Sequence, residues 1–166
     1  MKLLAVFCGC MLLGACATVQ KPALTPLQIQ AIQSKEFETD KNIAFGAVVS
    51  VFQDAGYIVQ SADKDSGFIT AASPATEKTA LWGLLTNSST SAQTRATAFV
   101  EQIRAGFVTV RLNFVNAVRT YGSNGQAMDH DQALLDPKVY QSAFDKIDSA
   151  IFVRMGTRAP EPATVR

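Results

Sequence analysis

Residues 108–118 read VTVRLNFVNAV, and this stretch decides the class of fold. Apolar and polar side chains alternate along it, with Val108, Val110, Leu112, Phe114 and Val118 set against Thr109, Arg111, Asn113 and Ala117. Because successive side chains of a strand point to opposite faces, the pattern predicts a strand with one buried face. Residues 96–103 predict its antiparallel partner. Arg111 then lies on the other face, where it is solvated if that face is open and needs an acidic partner if it is covered.

Two segments on either side of this predicted hairpin have the spacing of amphipathic helices. We expect one helix from Asp40 to Ala55, capped by Thr39, because apolar residues recur there every three or four positions. We expect a second helix from Pro137, capped by Asp136 and ending near residues 154–156. The two apolar stripes consist of Ala44, Val48, Val51, Phe52 and Ala55, and of Tyr140, Ala143, Phe144, Ile147 and Ile151.

Shorter strand signals complete the predicted domain. Residues 57–59 and 67–72 flank a turn-rich stretch, SADKDSG, and predict a hairpin. Residues 32–39 predict an edge strand, and the glycines of residues 121–125 are expected to end the sheet. The resulting order is β-α-β-β-β-β-α. It predicts an α+β two-layer sandwich, in which two helices cover one face of an antiparallel sheet of about four to five strands.

The amino terminus carries a targeting signal. Residues 1–15 read MKLLAVFCGCMLLGA, a charged start, a short apolar run and small residues, which predict a signal peptide. The apolar run is shorter than the roughly 20 residues of a membrane-spanning helix. The stretch Leu13-Gly14-Ala15-Cys16 resembles the lipobox of bacterial lipoproteins. The resemblance implies cleavage before Cys16, a diacylglycerol thioether on its sulfur and an acylated amine such as a palmitate amide. The alternative is an ordinary signal peptide with an incidental cysteine.

Cleavage would change the charge and cysteine content of the chain. Of the 15 Lys and Arg residues, Lys2 would be removed, which leaves 14 against 14 Asp and Glu. A neutral chain without a basic cluster argues against nucleic-acid binding. Cys16 would be the one remaining cysteine, occupied by lipid, so no disulfide is expected. Ala17 rather than Asp follows it, and the resemblance to Gram-negative lipoproteins then implies a membrane anchor in the outer membrane, with the domain facing the periplasm.

The 166 residues, 48% of them hydrophobic, predict one folded domain with flanking segments. We expect a lipidated tether over residues 16–31, a domain over residues 32–154 and a disordered tail over residues 155–166. The tether can end in a short helical turn begun by Thr25 and Pro26. Residues 74–93 are rich in Ser and Thr and are expected to form a mobile excursion. Their apolar island contains Leu81, Trp82, Leu84 and Leu85. The island is interpreted either as a contact with the membrane interface or a partner protein, or as a lid on the sheet.

No residue pattern points to catalysis, a metal or a cofactor. His130 stands between Asp129 and Asp131, but these three lack the spacing of a metal cluster, which favours a solvated loop. Residues 63–67 read DKDSG, yet position 12 of a calcium loop would be Pro74, so a hairpin turn is preferred. Neither a Gly-x-Ser-x-Gly elbow nor a phosphate-binding glycine loop occurs. We therefore expect a protein that is not an enzyme.

Five segments together resemble a group of small, poorly characterised Gram-negative outer-membrane lipoproteins over roughly residues 28–154. The segments are QSKEFET (33–39), VFQDAGY (51–57), SGFITA (66–71), VRLNF (110–114) and DPKVY (136–140). Phe52 and Tyr57 stand where Leu and Phe are commoner in that group. More remotely, the layout is similar to the helix-grip domains of the accessory lipoprotein in the outer-membrane β-barrel assembly machinery. The resemblance implies a lipoprotein and a fold, and it brings no catalytic residues.

Two functions remain open from the sequence. The first is a non-enzymatic interaction or envelope-assembly module that is bound to the membrane by its lipid and recognises a protein of the cell envelope. The alternative is a binder or carrier of a small apolar ligand, held between the sheet and a helix.

Overall fold

The computed structural model describes residues 24–78, 89–122 and 126–157, in which the chain forms three helices and seven strands. In chain order these are α1 (Pro26–Gln33), β1 (Ser34–Glu38), α2 (Lys41–Asp54), β2 (Ile58–Asp63), β3 (Phe68–Ala72), β4 (Thr76–Lys78), β5 (Ser89–Arg104), β6 (Phe107–Tyr121), β7 (Ala127–Ala133) and α3 (Pro137–Thr157). The predicted class, α+β with an antiparallel sheet, is confirmed. The predicted numbers of strands and helices are too low.

A long hairpin of β5 and β6 forms the axis of the sheet. The two strands have 16 and 15 residues, so each is about 50 Å long. Near their connecting turn they are flanked by the other strands in the order β1-β6-β5-β3-β2. Farther along, β4 pairs with β5 and β7 pairs with β6. We call this second part, made of β4, β7 and residues 89–95 and 115–121, the distal sheet.

Helices α2 and α3 cover one face of the sheet near the turn. Val108, Val110 and Leu112 of β6 are completely buried there, which confirms the alternation predicted for this strand. The helices meet them with Phe45, Val48, Val51, Phe52, Tyr140, Phe144, Ile147 and Ile151. Each such side chain contributes about 1.5–3 kcal/mol when it leaves water, so this layer contact dominates the stability of the domain.

The ends of α2 differ slightly from the prediction. The N-cap is Asp40, not Thr39, because the chain is still extended at Asp40, with φ −82° and ψ 149°. Thr39 turns into the protein instead and is only 5% exposed. Ala55, predicted on the buried stripe, is the exposed C-cap. Gly56 follows with φ 81°, the left-handed conformation in which a glycine avoids a Cβ clash.

The last helix is as predicted at its start and longer at its end. Asp136 accepts a hydrogen bond from the Lys138 amide at 3.0 Å through Oδ1, as expected of a capping residue. The helix continues to Thr157, so residues 155–157 of the predicted tail are helical. Residues 158–166 lie outside the described residues. No helix in the described ranges is both long and apolar enough to cross a bilayer.

At the amino terminus, the helical turn predicted at Thr25 and Pro26 is a full helix, α1, which is absent from the predicted order of elements. It begins with a capping box, in which the Gln28 amide donates to Thr25 Oγ1 at 3.3 Å and the Thr25 amide donates to Gln28 Oε1 at 2.9 Å. Ile32 packs against the core. Residues 26–31 of the predicted tether are therefore part of the folded domain.

The other missing elements are β4 and β7. Thr76 pairs with Ala92 and Lys78 with Thr90, so both ends of the predicted excursion over residues 74–93 are strands. Residues 79–88 between them lie outside the described residues. The sheet also does not end at residues 121–125, because β7 returns along β6, from Ala127 opposite Tyr121 to Ala133 opposite Val115.

Candidate functional site

The distal sheet is the part of the fold that the helices leave uncovered. Every described side chain in it is half-buried or exposed. Val118, predicted on the buried face, is half-buried because it lies in this part of β6. Most antiparallel sheets present only one face to water. Among the described residues, nothing covers either face of the distal sheet, so both faces display polar and apolar side chains that the core does not need.

One face of the distal sheet carries two arginine–aspartate pairs. Asp129 and Asp131 are two residues apart on β7 and so point to the same face. Arg119 is in register with Asp129 and donates to its Oδ1 from Nε at 2.6 Å and to its Oδ2 from Nη2 at 2.8 Å. Arg95 reaches from β5 across β6 to Asp131. The pairs border a shallow cavity of about 230 Å³ over Ala117, which we call the charged cleft.

The pairing sets the ionisation of the cleft. Hydrogen bonds from Arg119, assisted by the positive charges of Arg119 and Arg95, hold the pKa of Asp129 below its ordinary value. Hydrogen bonds with Asp129 and Tyr121 raise the pKa of Arg119. All four charged side chains are about half exposed. Solvent screens such pairs strongly, so they fix the alignment of β7 more than they stabilise the fold.

The three residues weighed as a metal site do not lie together. His130 lies on the opposite face of β7 from Asp129 and Asp131, because neighbouring strand residues alternate. Both carboxylates bind arginines instead. No group of three or more metal-ligating side chains occurs in the described ranges. His130 is exposed, as the expectation of a solvated residue required, but it lies in a strand and not in a loop.

The calcium-like sequence of residues 63–67 is a hairpin turn, as predicted. The Asp65 amide donates to Asp63 Oδ1 at 3.0 Å, and Gly67 has a φ of 83°. Hydrogen bonds with the Ser66 side chain and the Asp65 amide hold the pKa of Asp63 below its ordinary value. The carboxylate is therefore engaged with its own turn.

The outer face of the sheet near the β5–β6 turn is open. Arg111 is exposed, and its Nε donates to Ser34 Oγ at 3.3 Å. The solvated alternative for Arg111 therefore holds. Beside it, the rings of Phe99 and Phe68 lie 5.0 Å apart, and Phe68 is 53% exposed.

Packed side chains fill the contact between the sheet and the helices. Residues from the sheet and from α2 and α3 form one continuous buried cluster there. A groove of about 930 Å³ runs between α2 and α3, but no strand residue lines it. This arrangement does not favour an apolar ligand held between the layers.

The predicted lipidation site and apolar island lie outside the described residues. This applies to Leu13, Gly14, Ala15 and Cys16, and to Leu81, Trp82, Leu84 and Leu85. The segment with the island connects β4 to β5, so it leaves and re-enters the fold at the distal sheet. No protein-family model matches the chain, and no curated protein matches it.

Sequence reasoning missed the two arginines of the cleft. Arg95 and Arg119 read as ordinary strand residues as long as β7 is not recognised. The available signal was the turn-forming composition of residues 121–125. These residues lie near the midpoint between Arg119 and Asp129 in the sequence. Read as a hairpin turn rather than as the end of the sheet, this composition would have set the two charges opposite each other.

Proposed function

We propose that the protein is a periplasm-facing, lipid-anchored outer-membrane lipoprotein that acts as a non-enzymatic interaction or envelope-assembly module. The observation that carries this proposal is the distal sheet. Its seven β6 residues, 115–121, extend about 23 Å past the last buried residue of that strand. Within the described ranges, no helix covers this extension and none of its side chains is buried, so it is not needed to close the core and is available to a partner.

The surface chemistry of the distal sheet supports a protein partner. The charged cleft presents opposite charges in fixed positions, which favours recognition by charge complementarity. Met128, 75% exposed, and Tyr121, 40% exposed, add apolar area on its two faces. The strands β4 and β7 are edges of the sheet, where a further strand can pair.

The segment between the proposed lipid on Cys16 and the folded domain is short. With α1 folded onto the domain, eight residues lie between Cys16 and Thr25, and the nine steps from one to the other span at most about 32 Å. Several acyl chains on Cys16 give durable anchoring, since each buried CH₂ contributes about 0.8 kcal/mol. The domain would therefore act close to the membrane surface.

The apolar island is proposed as a second part of the same interface. Trp82 and its neighbouring leucines belong to the segment between β4 and β5, and both of these strands are in the distal sheet. Tryptophan is among the commonest anchors of protein interfaces. We expect Trp82→Ala to weaken partner binding and to leave the fold intact.

Site-specific photo-crosslinking in intact cells tests the proposal. A crosslinking amino acid at exposed Tyr121 or Ala127, which are on the same face as the charged cleft, should give an adduct with one envelope protein, and one at exposed Asp148 of α3 should not. Charge reversal by Arg119→Glu should abolish the adduct. The matched control is Arg104→Glu, which breaks the 2.7 Å pair with Glu36 at the other end of β5 and should retain it. Equal adducts from all positions, or adducts with lipid alone, would refute the proposed interface.

A further inference from the structure

We propose that α1 is a membrane-contacting element whose outward face, centred on Leu27, rests on the bilayer interface when Cys16 is acylated. The inference rests on the proposed function, because it requires the lipid on Cys16. The proposed contact of the exposed face of α1 is the lipid bilayer and not a partner protein.

The helix has two faces with different environments. Toward the protein, Ile32 packs against the core, and Gln33 Nε2 lies 3.4 Å from Asn113 Oδ1 and 3.5 Å from the Tyr140 hydroxyl. These contacts fix the orientation of α1. The opposite face consists of Leu27, Gln30 and Ala31, which share one side of the helix by their spacing and are all exposed. Leu27 is 75% exposed and is the largest apolar side chain on this face.

The composition of α1 suits a membrane interface. Its eight residues, PLQIQAIQ, contain no charged side chain. The capping box with Thr25 and Gln28 already occupies amides that would otherwise need water. Moving this face into the interfacial region therefore requires no charged side chain to lose its hydration.

Because the segment between Cys16 and α1 is short, a small apolar contact is sufficient to hold α1 on the bilayer. The chain leaves the proposed lipid site at Cys16 and enters α1 at Pro26, so α1 is the first folded element that the anchor brings to the bilayer. One leucine cannot hold a free domain on a membrane, but tethering turns the contact into an intramolecular one. Phe152 is 79% exposed but lies on α3, whose start, not its end, is beside α1. It is 15 residues beyond Pro137, about 22 Å farther along the helix.

Fluorescence quenching by brominated lipids tests the contact. Trp82 is the chain's one tryptophan, and Trp82→Phe provides a silent background. Into it we would introduce Leu27→Trp, Gln30→Trp on the same face, or Phe152→Trp as the exposed control. The acylated proteins are reconstituted in phosphatidylcholine vesicles with or without bromine on the acyl chains. We expect brominated lipid to lower emission about two-fold for the two α1 variants, given the shallow depth of interfacial helices, and to leave the Phe152→Trp variant unchanged.

The same samples separate the possible failures. Intact mass spectrometry reports whether Cys16 carries acyl chains. A chain without acyl groups would refute the proposed function and this inference together. An acylated, folded protein in which neither α1 variant is quenched, or in which Phe152→Trp is quenched as strongly, would overturn this inference alone.

Discussion

Arg119 and Asp129 face each other on adjacent strands and share two hydrogen bonds, of 2.6 and 2.8 Å, in the fork geometry of an arginine–carboxylate pair. They are ten residues apart in sequence and in direct register between β6 and β7. The pair explains why a strand as polar as β7 aligns with β6 in one register. Its charges occupy the same surface that we propose as the interface.

The Asp129 carboxyl is expected to titrate below the ordinary aspartate value of 3.8. Because the folded state lowers this pKa, the pair stabilises the protein at neutral pH, and this contribution is lost as the pH falls through the folded-state pKa. Carboxyl chemical shifts in an NMR titration measure it directly. Arg119→Gln should raise the Asp129 midpoint toward 3.8, whereas Arg104→Gln should not move it. An unchanged midpoint in the Arg119 variant would show that the pair is absent in solution.

Removal of the Tyr140 hydroxyl should destabilise the fold more than its small volume suggests. The buried Phe114 amide donates to this oxygen at 3.3 Å, and Gln33 of α1 lies 3.5 Å from it. An amide left without a partner costs about 1–3 kcal/mol, which we expect as the loss in unfolding free energy for Tyr140→Phe. Urea denaturation measures it. Tyr121→Phe, at an exposed position, is the control and should change stability little; equal losses would contradict this role of Tyr140.

Gly67→Ala and Gly56→Ala form a matched pair. Both glycines have a left-handed backbone, with φ of 83° and 81°, in which alanine costs about 1–2 kcal/mol. A Cβ at Gly56 meets no atom within 4 Å, whereas one at Gly67 would overlap the carbonyl oxygen of Val100. Thermal unfolding should therefore show a loss about 1–3 kcal/mol larger for Gly67→Ala. Equal losses would mean that β3 and β5 are not in this close contact.

The contact between α3 and the sheet is expected to carry much of the stability. Ile147 is fully buried in it, so Ile147→Ala should cost about 2–5 kcal/mol through lost burial and the cavity left behind. Ile103, 46% exposed, provides a control of the same chemistry, and Ile103→Ala should cost far less. Similar values for both variants in chemical denaturation would place the core elsewhere.

The parts of the fold that bury apolar side chains could be predicted from the sequence. The alternation of β6 and the stripes of α2 and α3 depend on burial, and burial leaves a periodic pattern in the chain. The β2–β3 hairpin was predicted from the turn residues between its strands, because β2 itself is almost entirely exposed. The edge strand β1 was also predicted, within two residues at its start and one at its end.

The missed elements have no such pattern because they bury almost nothing. The sequence of β7, AMDHDQA, is exposed at every position and is held by arginines from β5 and β6, a long-range contact invisible to a local reading. Helix α1 depends on a capping box and a few contacts of Ile32 and Gln33. Thr25 and Pro26 predicted a short helical turn at the end of the tether, but nothing in this segment predicted an eight-residue helix that packs on the core. The charged cleft was not predicted because it depends on β7, whose exposed side chains leave no periodic pattern in the sequence.

The acylation of Cys16 is the point on which the proposed localisation depends. Metabolic labelling with radioactive palmitate, compared between the wild-type chain and Cys16→Ser, tests it most directly. We expect label in the wild-type band and none in the variant. A wild-type protein that is expressed and folded but carries no label would contradict the proposed lipid anchor.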